Sequence, residues 1–170
     1  MNYAKIVDSD IVNGEGVRVS LFVSGCRRRC KGCFNAEAQS FEYGQPFDQG
    51  AFEKILADLD DGLTCGLSIL GGEPFEPENI LDVLTLCTLV KTLHPDKTIW
   101  IWTGYTIEQL TSMNKYAVDM LLSYVDVLVD GEFIEAERDL DLRFRGSRNQ
   151  RIIDMNKTFE KGTGEIVLWN

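Results

Sequence analysis

At 170 residues, with 44% hydrophobic and 26% charged residues, the chain predicts a single domain over residues 1–170 with one sizeable core. Its formal net charge of −10 repels nucleic acid and anionic membrane surfaces, so neither is an expected partner. The amino-terminal segment lacks a secretory signal pattern and no apolar run is long enough to span a bilayer, so a cytoplasmic protein is expected.

Apolar runs rich in β-branched residues alternate with segments of helical periodicity. Strands are predicted over residues 17–23, 65–70, 98–102 and 125–129. Helices are predicted over residues 52–59, 80–90 and 107–122. The alternation favours the α/β class with parallel strands. At about 30 residues per β/α unit the chain holds about five or six units. Because that is too few to close an eight-unit barrel, an incomplete parallel (β/α) barrel is predicted, with an open sheet as the alternative.

Polar or glycine-rich segments follow the predicted strands. The first strand leads into a cysteine cluster, and the later strands end at Gly71-Gly72, Thr103-Gly104 and Asp130-Gly131. In a parallel sheet the carboxyl ends of the strands lie at one edge, and ligands bind there. The four segments are therefore expected to converge on one site.

Three cysteines occur within eight residues, Cys26, Cys30 and Cys33, in the spacing C-x3-C-x2-C. The chain has five cysteines, an odd number unlike the even sets of secreted disulfide scaffolds, so the cluster indicates metal binding in a reducing compartment. Three thiolates on a four-iron, four-sulfur cluster leave one iron open to another ligand. A structural zinc site is the alternative, but it needs a fourth ligand and more often uses paired C-x2-C motifs.

No good fourth ligand is evident. Cys65 begins a predicted buried strand and Cys87 lies on the apolar stripe of a predicted helix, so both are expected to be core residues. His94, the single histidine, precedes Pro95 and is expected to be solvated at a helix C-terminus. The iron–sulfur interpretation is therefore favoured over zinc.

The cysteine motif, taken together with Gly71-Gly72-Glu73-Pro74 after a later strand, resembles the radical S-adenosylmethionine superfamily. The resemblance implies that the amino and carboxylate groups of S-adenosylmethionine chelate the open iron. It also implies that an electron from the cluster breaks the C5′–S bond and gives a 5′-deoxyadenosyl radical. The cofactor-binding residues that it implies are Gly32, Cys33, Phe34, Gly71, Gly72 and Glu73.

Several of these residues keep alternative roles. Gly71 and Gly72 would let the backbone approach the cofactor's amino group, or they simply form a turn between strand and helix. Phe34 would stack on adenine, or it is a local core aromatic. Glu73 would hold either its own loop or the methionine end of the cofactor.

A larger part of the chain is similar to one branch of this superfamily, the anaerobic ribonucleoside-triphosphate reductase-activating proteins. The segments that carry the likeness are residues 10–14, 21–26, 32–35, 44–47, 71–74, 100–105, 127–131 and 144–151. The resemblance implies an enzyme that installs a glycyl radical on the catalytic subunit of the class III reductase. Two departures leave the fine tuning of cofactor binding open: Arg27-Arg28-Arg29 stands where the family often has His, and Leu70 stands where a small hydroxyl residue is common.

Two basic groups have a structural and a functional interpretation. Arg27, Arg28, Arg29 and Lys31 are either solvated surface charges or a docking patch for an acidic electron donor such as a flavodoxin, or for an acidic surface of the reductase. The second group is Arg145, Arg148 and Arg151. These arginines either belong to a solvated loop with local hydrogen bonds, or they cap the site or contact the partner. For Asp130 a role in loop structure is favoured over contact with a cofactor hydroxyl.

Two other classes of function are consistent with these motifs. One is an activating enzyme for a different glycyl-radical enzyme, or a radical S-adenosylmethionine enzyme that acts on a small molecule. The other is a zinc-bound interaction module without turnover. A homodimer and a heterotetramer with the reductase are both open as assemblies.

Overall fold

A mixed seven-stranded sheet forms the centre of the fold, and the computed structural model describes all 170 residues. The strands are β1 (Asn2–Asp10), β2 (Val17–Val23), β3 (Gln45–Pro46), β4 (Thr64–Gly71), β5 (Thr98–Trp102), β6 (Val127–Asp130) and β7 (Arg151–Asp154). The helices are α1 (Gln49–Leu59), α2 (Ile80–Leu93), α3 (Ile107–Ser112), α4 (Tyr116–Tyr124) and α5 (Met155–Lys161). The strand order is β3-β1-β2-β4-β5-β6-β7.

The four central strands, β2, β4, β5 and β6, are parallel. They lie side by side in the sheet in the same order as in the chain. Leu21 pairs with Ile69 between β2 and β4, and Ile69 pairs with Ile101 between β4 and β5. Ile101 in turn pairs with Leu128 of β6. Because every crossover steps in the same direction and such crossovers are right-handed, the connecting helices lie on one face of the sheet. These four side chains have no exposed surface and lie in the main core.

The sheet departs from the predicted five or six parallel units, because only four strands are parallel. At one edge β1 runs antiparallel to both β2 and β3, and at the other edge β7 runs antiparallel to β6. The sequence missed β1, β3, β7 and α5. The fold class is α/β, as predicted, with a mixed sheet.

The opposite face of the sheet carries no connecting helix. Side chains alternate along a strand, so Arg18 of β2 and Trp100 of β5 lie on this face. Trp100 forms a second, smaller core with Val127 and Val129. Aromatic residues from the chain's last segments cover it, and Trp169 approaches Trp100 with 5.1 Å between ring centroids.

The helical region predicted over 107–122 is two helices. The chain breaks between α3 and α4 at Asn114, whose φ of 49° lies in the left-handed region. Thr106 begins α3 with a capping box that it completes with Gln109. Val125, predicted as the start of a strand, is instead the C-cap of α4. None of the five helices is long and apolar enough to cross a bilayer.

Candidate iron–sulfur and cofactor site

A cavity of about 320 Å³ opens on the helix-free face, at the carboxyl ends of the parallel strands. The four segments expected to converge all contribute to its lining: the cysteine loop, Gly71-Gly72, Thr103-Gly104 and Gly131. Of the predicted site residues, the structure brings the following to this cavity: Cys26, Cys30, Cys33, Phe34, Gly71, Gly72 and Glu73. Gly32 is not among the lining residues, and it packs against the Glu135 side chain.

Backbone hydrogen bonds fix the cysteine loop where it leaves β2. The amide of Gly25 donates to the carbonyl of Ala38 at 2.8 Å, and the amide of Cys26 donates to that of Gln39 at 3.1 Å. These bonds fold residues 26–38 back on themselves, so that all three thiols reach the cavity. The three cysteines are half-buried and form no disulfide.

The environment of the thiols is partly desolvated and acidic. Burial, followed by the charge of Glu132, raises the pKa of Cys30 to about 11. Burial also raises the pKa of Cys26, and nearby Glu73 adds to the effect. No three His, Cys, Asp or Glu side chains in the structure are gathered closely enough to hold a single metal ion. Three thiols line the cavity, and three is the number that leaves one iron of a four-iron cluster without a protein ligand.

The other two cysteines lie outside the cavity. Cys87 has no exposed surface and belongs to the main core, as predicted. Cys65 was predicted to be buried, and this is wrong because its side chain is exposed. The cause is a β-bulge, since Val17 pairs with Thr64 and Arg18 pairs with Gly66, which leaves Cys65 as the extra residue of β4.

The two glycines after β4 are in close contact with the cysteine loop. Gly71 has a φ of 106°, and the amide of Gly72 donates to the carbonyl of Val23 at 2.7 Å. A Cβ at Gly72 would lie 2.6 Å from the carbonyl oxygen of Gly25. Since real Cβ atoms do not approach backbone oxygens so closely, a larger residue would push the two segments apart. The glycines thus bring the backbones together at the cavity.

The side chain of Glu73 ties the segment after β4 to the loop after β5. It has no exposed surface, and its Oε1 accepts from the amide of Phe75 at 3.1 Å and the hydroxyl of Thr103 at 2.8 Å. Its Oε2 accepts from the amide of Gly104 at 2.8 Å. Burial raises the pKa of this carboxyl to about 7 despite these hydrogen bonds. These contacts favour the loop-holding role for Glu73.

Asn79, a residue that the sequence did not single out, supports the same junction. It is fully buried, and its Nδ2 donates to the carbonyls of Ser24 at 3.0 Å and Glu73 at 2.9 Å. The side chain therefore joins the cysteine loop to the segment after β4. Its position at the start of α2 was the only sequence signal available.

The cavity wall also includes aromatic side chains, one of which, Phe133, comes from the long segment after β6. Phe34 is 55% exposed, so it is not a core aromatic. Its ring meets that of Phe133 edge-on at 5.2 Å, and the guanidinium of Arg138 lies 4.7 Å from its centroid. Trp102 forms another part of the wall, and its indole Nε1 donates to the carbonyl of Phe144 at 2.7 Å.

The first basic group is largely neutralised by carboxylates of the same chain. Arg27 pairs with Glu76 and Glu78, and Arg28 pairs with Glu132 at 3.1 Å. Lys31 of the same loop pairs with Glu135 at 3.0 Å. Only Arg29 makes no ion pair, so the loop offers less positive charge to a partner than its sequence suggests.

The second basic group has structural contacts. Arg151 pairs with Glu108 at 2.8 Å and with the buried Asp130 at 2.5 Å. Asp130 also accepts from the amide of Ile107 at 2.8 Å, which supports its role in loop structure. The remaining two arginines bond locally: Arg145 to the carbonyl of Gln150, and Arg148 to Asp139.

Comparison with known proteins agrees with this arrangement. A family model described as a 4Fe-4S single cluster domain matches residues 12–153. An anaerobic ribonucleoside-triphosphate reductase-activating protein of Vibrio cholerae is 47% identical over 89% of this chain and 97% of its own. Proteins of the same description from Haemophilus influenzae and Escherichia coli K12 are 43% and 41% identical, over 89% and 88% of this chain and 97% and 96% of their own.

The chain belongs to this family of activating proteins. The family match supports an iron–sulfur cluster as a cofactor of this chain. The match to the cluster-domain model begins in the loop before β2 and ends within β7, so it includes every segment that lines the cavity.

Proposed function

We propose that this chain is a radical S-adenosylmethionine enzyme that generates a glycyl radical on the catalytic subunit of the anaerobic, class III ribonucleotide reductase. The observation that carries the proposal is the single cavity that contains three thiols, the Gly71-Gly72 segment and no fourth cysteine. The proposed cluster ligands are Cys26, Cys30 and Cys33. The relatives' names, as activating proteins of the anaerobic reductase, point to that partner.

When bound, the reduced cluster and S-adenosylmethionine supply the electron and the carbon–sulfur bond cleavage that together yield a hydrogen-abstracting adenosyl radical. The chain's own residues would bind and orient these groups. Gly71 and Gly72 line the cavity, and their lack of a Cβ lets this segment pack against β2 and the cysteine loop. Their backbone groups would receive the cofactor's amino group. Glu73 holds this segment to the loop after β5.

Phe34 and Gly32 would contribute to the proposed cofactor site in different ways. Phe34 presents a half-exposed ring at the cavity, a surface on which adenine would stack. Gly32 lies beside the lining residues and has a φ of 71°. Its contribution would be to shape the loop that carries Cys33 and Phe34.

The open side of the sheet suits a protein substrate. The helices cover one face of the mixed sheet, and the cavity opens on the other. We propose one domain over residues 1–170, a cytoplasmic location and an acidic donor such as a flavodoxin. The ion pairs of Arg27, Arg28 and Lys31 leave Arg29 as the unpaired cation of the cluster loop for that donor.

The first test is anaerobic reconstitution with iron and sulfide. We expect a brown protein with four irons per cluster and visible charge-transfer absorption. Ala at position 26, 30 or 33 should abolish the absorption, whereas Cys65→Ala should retain it because that thiol lies outside the cavity. A colourless wild-type protein with stoichiometric zinc would establish the zinc-bound interaction module instead.

The second test asks what the reconstituted enzyme acts on. The reduced protein is incubated with S-adenosylmethionine and a purified class III reductase subunit, and the glycyl radical is followed by electron paramagnetic resonance. Cys26→Ala serves as the inactive control. A radical on a different glycyl-radical enzyme, with none on the reductase, would favour the alternative activating function.

A further inference from the structure

The cluster loop carries three successive arginines, and only Arg28 lines the cavity. The Arg27 side chain instead pairs with Glu76 and Glu78 on the segment before α2. Arg29 is exposed, makes no ion pair and does not line the cavity. The three equal charges therefore have different environments, and one of them belongs to the site.

Arg28 connects the cysteine loop to two other strand ends. Its guanidinium pairs with Glu132, after β6, at 3.1 Å and lies 4.7 Å from the ring centroid of Tyr105, after β5. The Arg28 side chain packs on Gly104, since a Cβ at Gly104 would lie 2.6 Å from Nε of Arg28. Only 18% of the side chain is exposed, so its charge is partly desolvated and acts strongly on nearby groups.

One donor of this guanidinium has no acceptor. The Nε atom of Arg28 is buried and makes no hydrogen bond. Buried donors of this kind are rare and costly, and each one calls for an explanation. The cavity that Arg28 lines holds three thiols, which become anionic when they bind metal. A cluster bound by these thiolates would place negative charge in the cavity that the Arg28 guanidinium lines.

Glu132, the ion-pair partner of Arg28, brings a negative charge to the same part of the structure. Glu132 lies between Gly131 and Phe133, which both line the cavity, and its carboxylate pairs with Arg28. Without Arg28, a negative charge would face a group that gains another negative charge on reduction. With Arg28 in place, the carboxylate is compensated, and the guanidinium of the pair is the partner that lines the cavity.

We propose that Arg28 is a positioning residue that raises the reduction potential of the cluster, by compensating Glu132 and by placing a cationic donor at the cavity. The inference rests on the proposed cluster ligands Cys26, Cys30 and Cys33. When the cluster takes up one electron from a low-potential reductant, a nearby cation stabilises the added charge and a nearby carboxylate opposes it.

The test is a redox titration with dithionite of the anaerobically reconstituted full chain, followed by electron paramagnetic resonance, without S-adenosylmethionine. Arg28→Gln should lower the midpoint potential and Glu132→Gln should raise it. Each should change the reduction equilibrium by roughly tenfold, which is about 59 mV for a one-electron couple. The double variant should lie closer to wild type than either single variant. Arg29→Gln is the matched control, because it removes the same charge from the same loop outside the cavity.

The outcomes separate this inference from the proposed function. A wild-type protein that assembles no cluster would refute both. A cluster whose potential responds equally to Arg28→Gln and Arg29→Gln would refute only the role of Arg28, since the effect would then be general surface charge. Arg28→Lys keeps the charge but not the planar fork, so it should restore most of the potential. If Arg28→Gln retains no iron, Arg28→Lys and Glu132→Gln decide the outcome, and an unchanged potential in Glu132→Gln would overturn the inference.

Discussion

Replacing Glu73 with Gln isolates the cost of burying a carboxyl group at the junction of the site loops. The carboxylate has no exposed surface and accepts hydrogen bonds from Phe75, Thr103 and Gly104. Burial outweighs these bonds and raises the pKa of Glu73 from 4.5 to about 7. The protein therefore keeps Glu73 protonated in a pH range where the unfolded chain has lost that proton.

The sign of the pH dependence follows from this difference. The contribution of Glu73 to folding is fully present below about pH 4.5 and is lost as the pH rises through about 7. The shift corresponds to about 3 kcal/mol at high pH, of which roughly 2 kcal/mol falls between about pH 5 and pH 8. Carboxyls whose pKa is lowered by arginine, such as Glu78 and Glu108 at about 2, titrate below this window.

The assay is urea unfolding of the metal-free, reduced protein from about pH 5 to pH 8. Gln is neutral throughout, so the free energy of unfolding of wild type relative to Glu73→Gln should fall by roughly 2 kcal/mol across the range. A pH-independent offset is also expected, because a Gln side chain cannot accept from all three donors. Glu42→Gln at an exposed position should show a flat difference. A flat difference for Glu73→Gln as well would refute the claim that this carboxyl is penalised by burial.

Two further substitutions probe the walls of the cavity. Gly72→Ala should lower the free energy of unfolding by about 1–3 kcal/mol and weaken S-adenosylmethionine binding in calorimetry, because its Cβ would meet the carbonyl of Gly25. Gly62→Ala has open space around its Cβ and should change neither. Trp102→Phe removes the hydrogen bond to the carbonyl of Phe144. It should lower the free energy of unfolding by about 1 kcal/mol in chemical denaturation and speed limited proteolysis of residues 131–150. Unchanged proteolysis would show that this bond does not hold the segment.

The central strands could be predicted from the sequence because burial on both faces requires continuous apolar residues, as in β5. The strand β1 could not, because only the last of its nine residues is buried and its conformation depends on pairing with β2. The four residues of β7 are too few to show the alternation of apolar and polar residues that is typical of a strand. The helix α5 did leave signals, since Asp154 caps its start and Gly162 ends it with a φ of 61°.

The site was predictable where one short segment carries the chemistry. The three cysteines lie within eight residues, and their spacing favoured an iron–sulfur cluster over a zinc site. The ion pairs of the neighbouring arginines were not predictable, because Arg27 and Arg28 find their partners 49 and 104 residues along the chain. For the same reason a sequence of three arginines suggested a docking patch, whereas tertiary contacts neutralise two of them.

The glycines after β4 show why local reasoning about a site is incomplete. Gly71 and Gly72 suggested an approach of backbone to cofactor, but their closest neighbours are the backbones of β2 and of the cysteine loop. Glu73 and Asn79 bind the same junction through side chains. The three thiols therefore come from one loop, while their placement depends on segments that follow β4 and β5. Since the unfolded chain lacks that placement, binding of a cluster by the three thiols should stabilise the whole fold, by an amount that grows with the logarithm of the binding affinity.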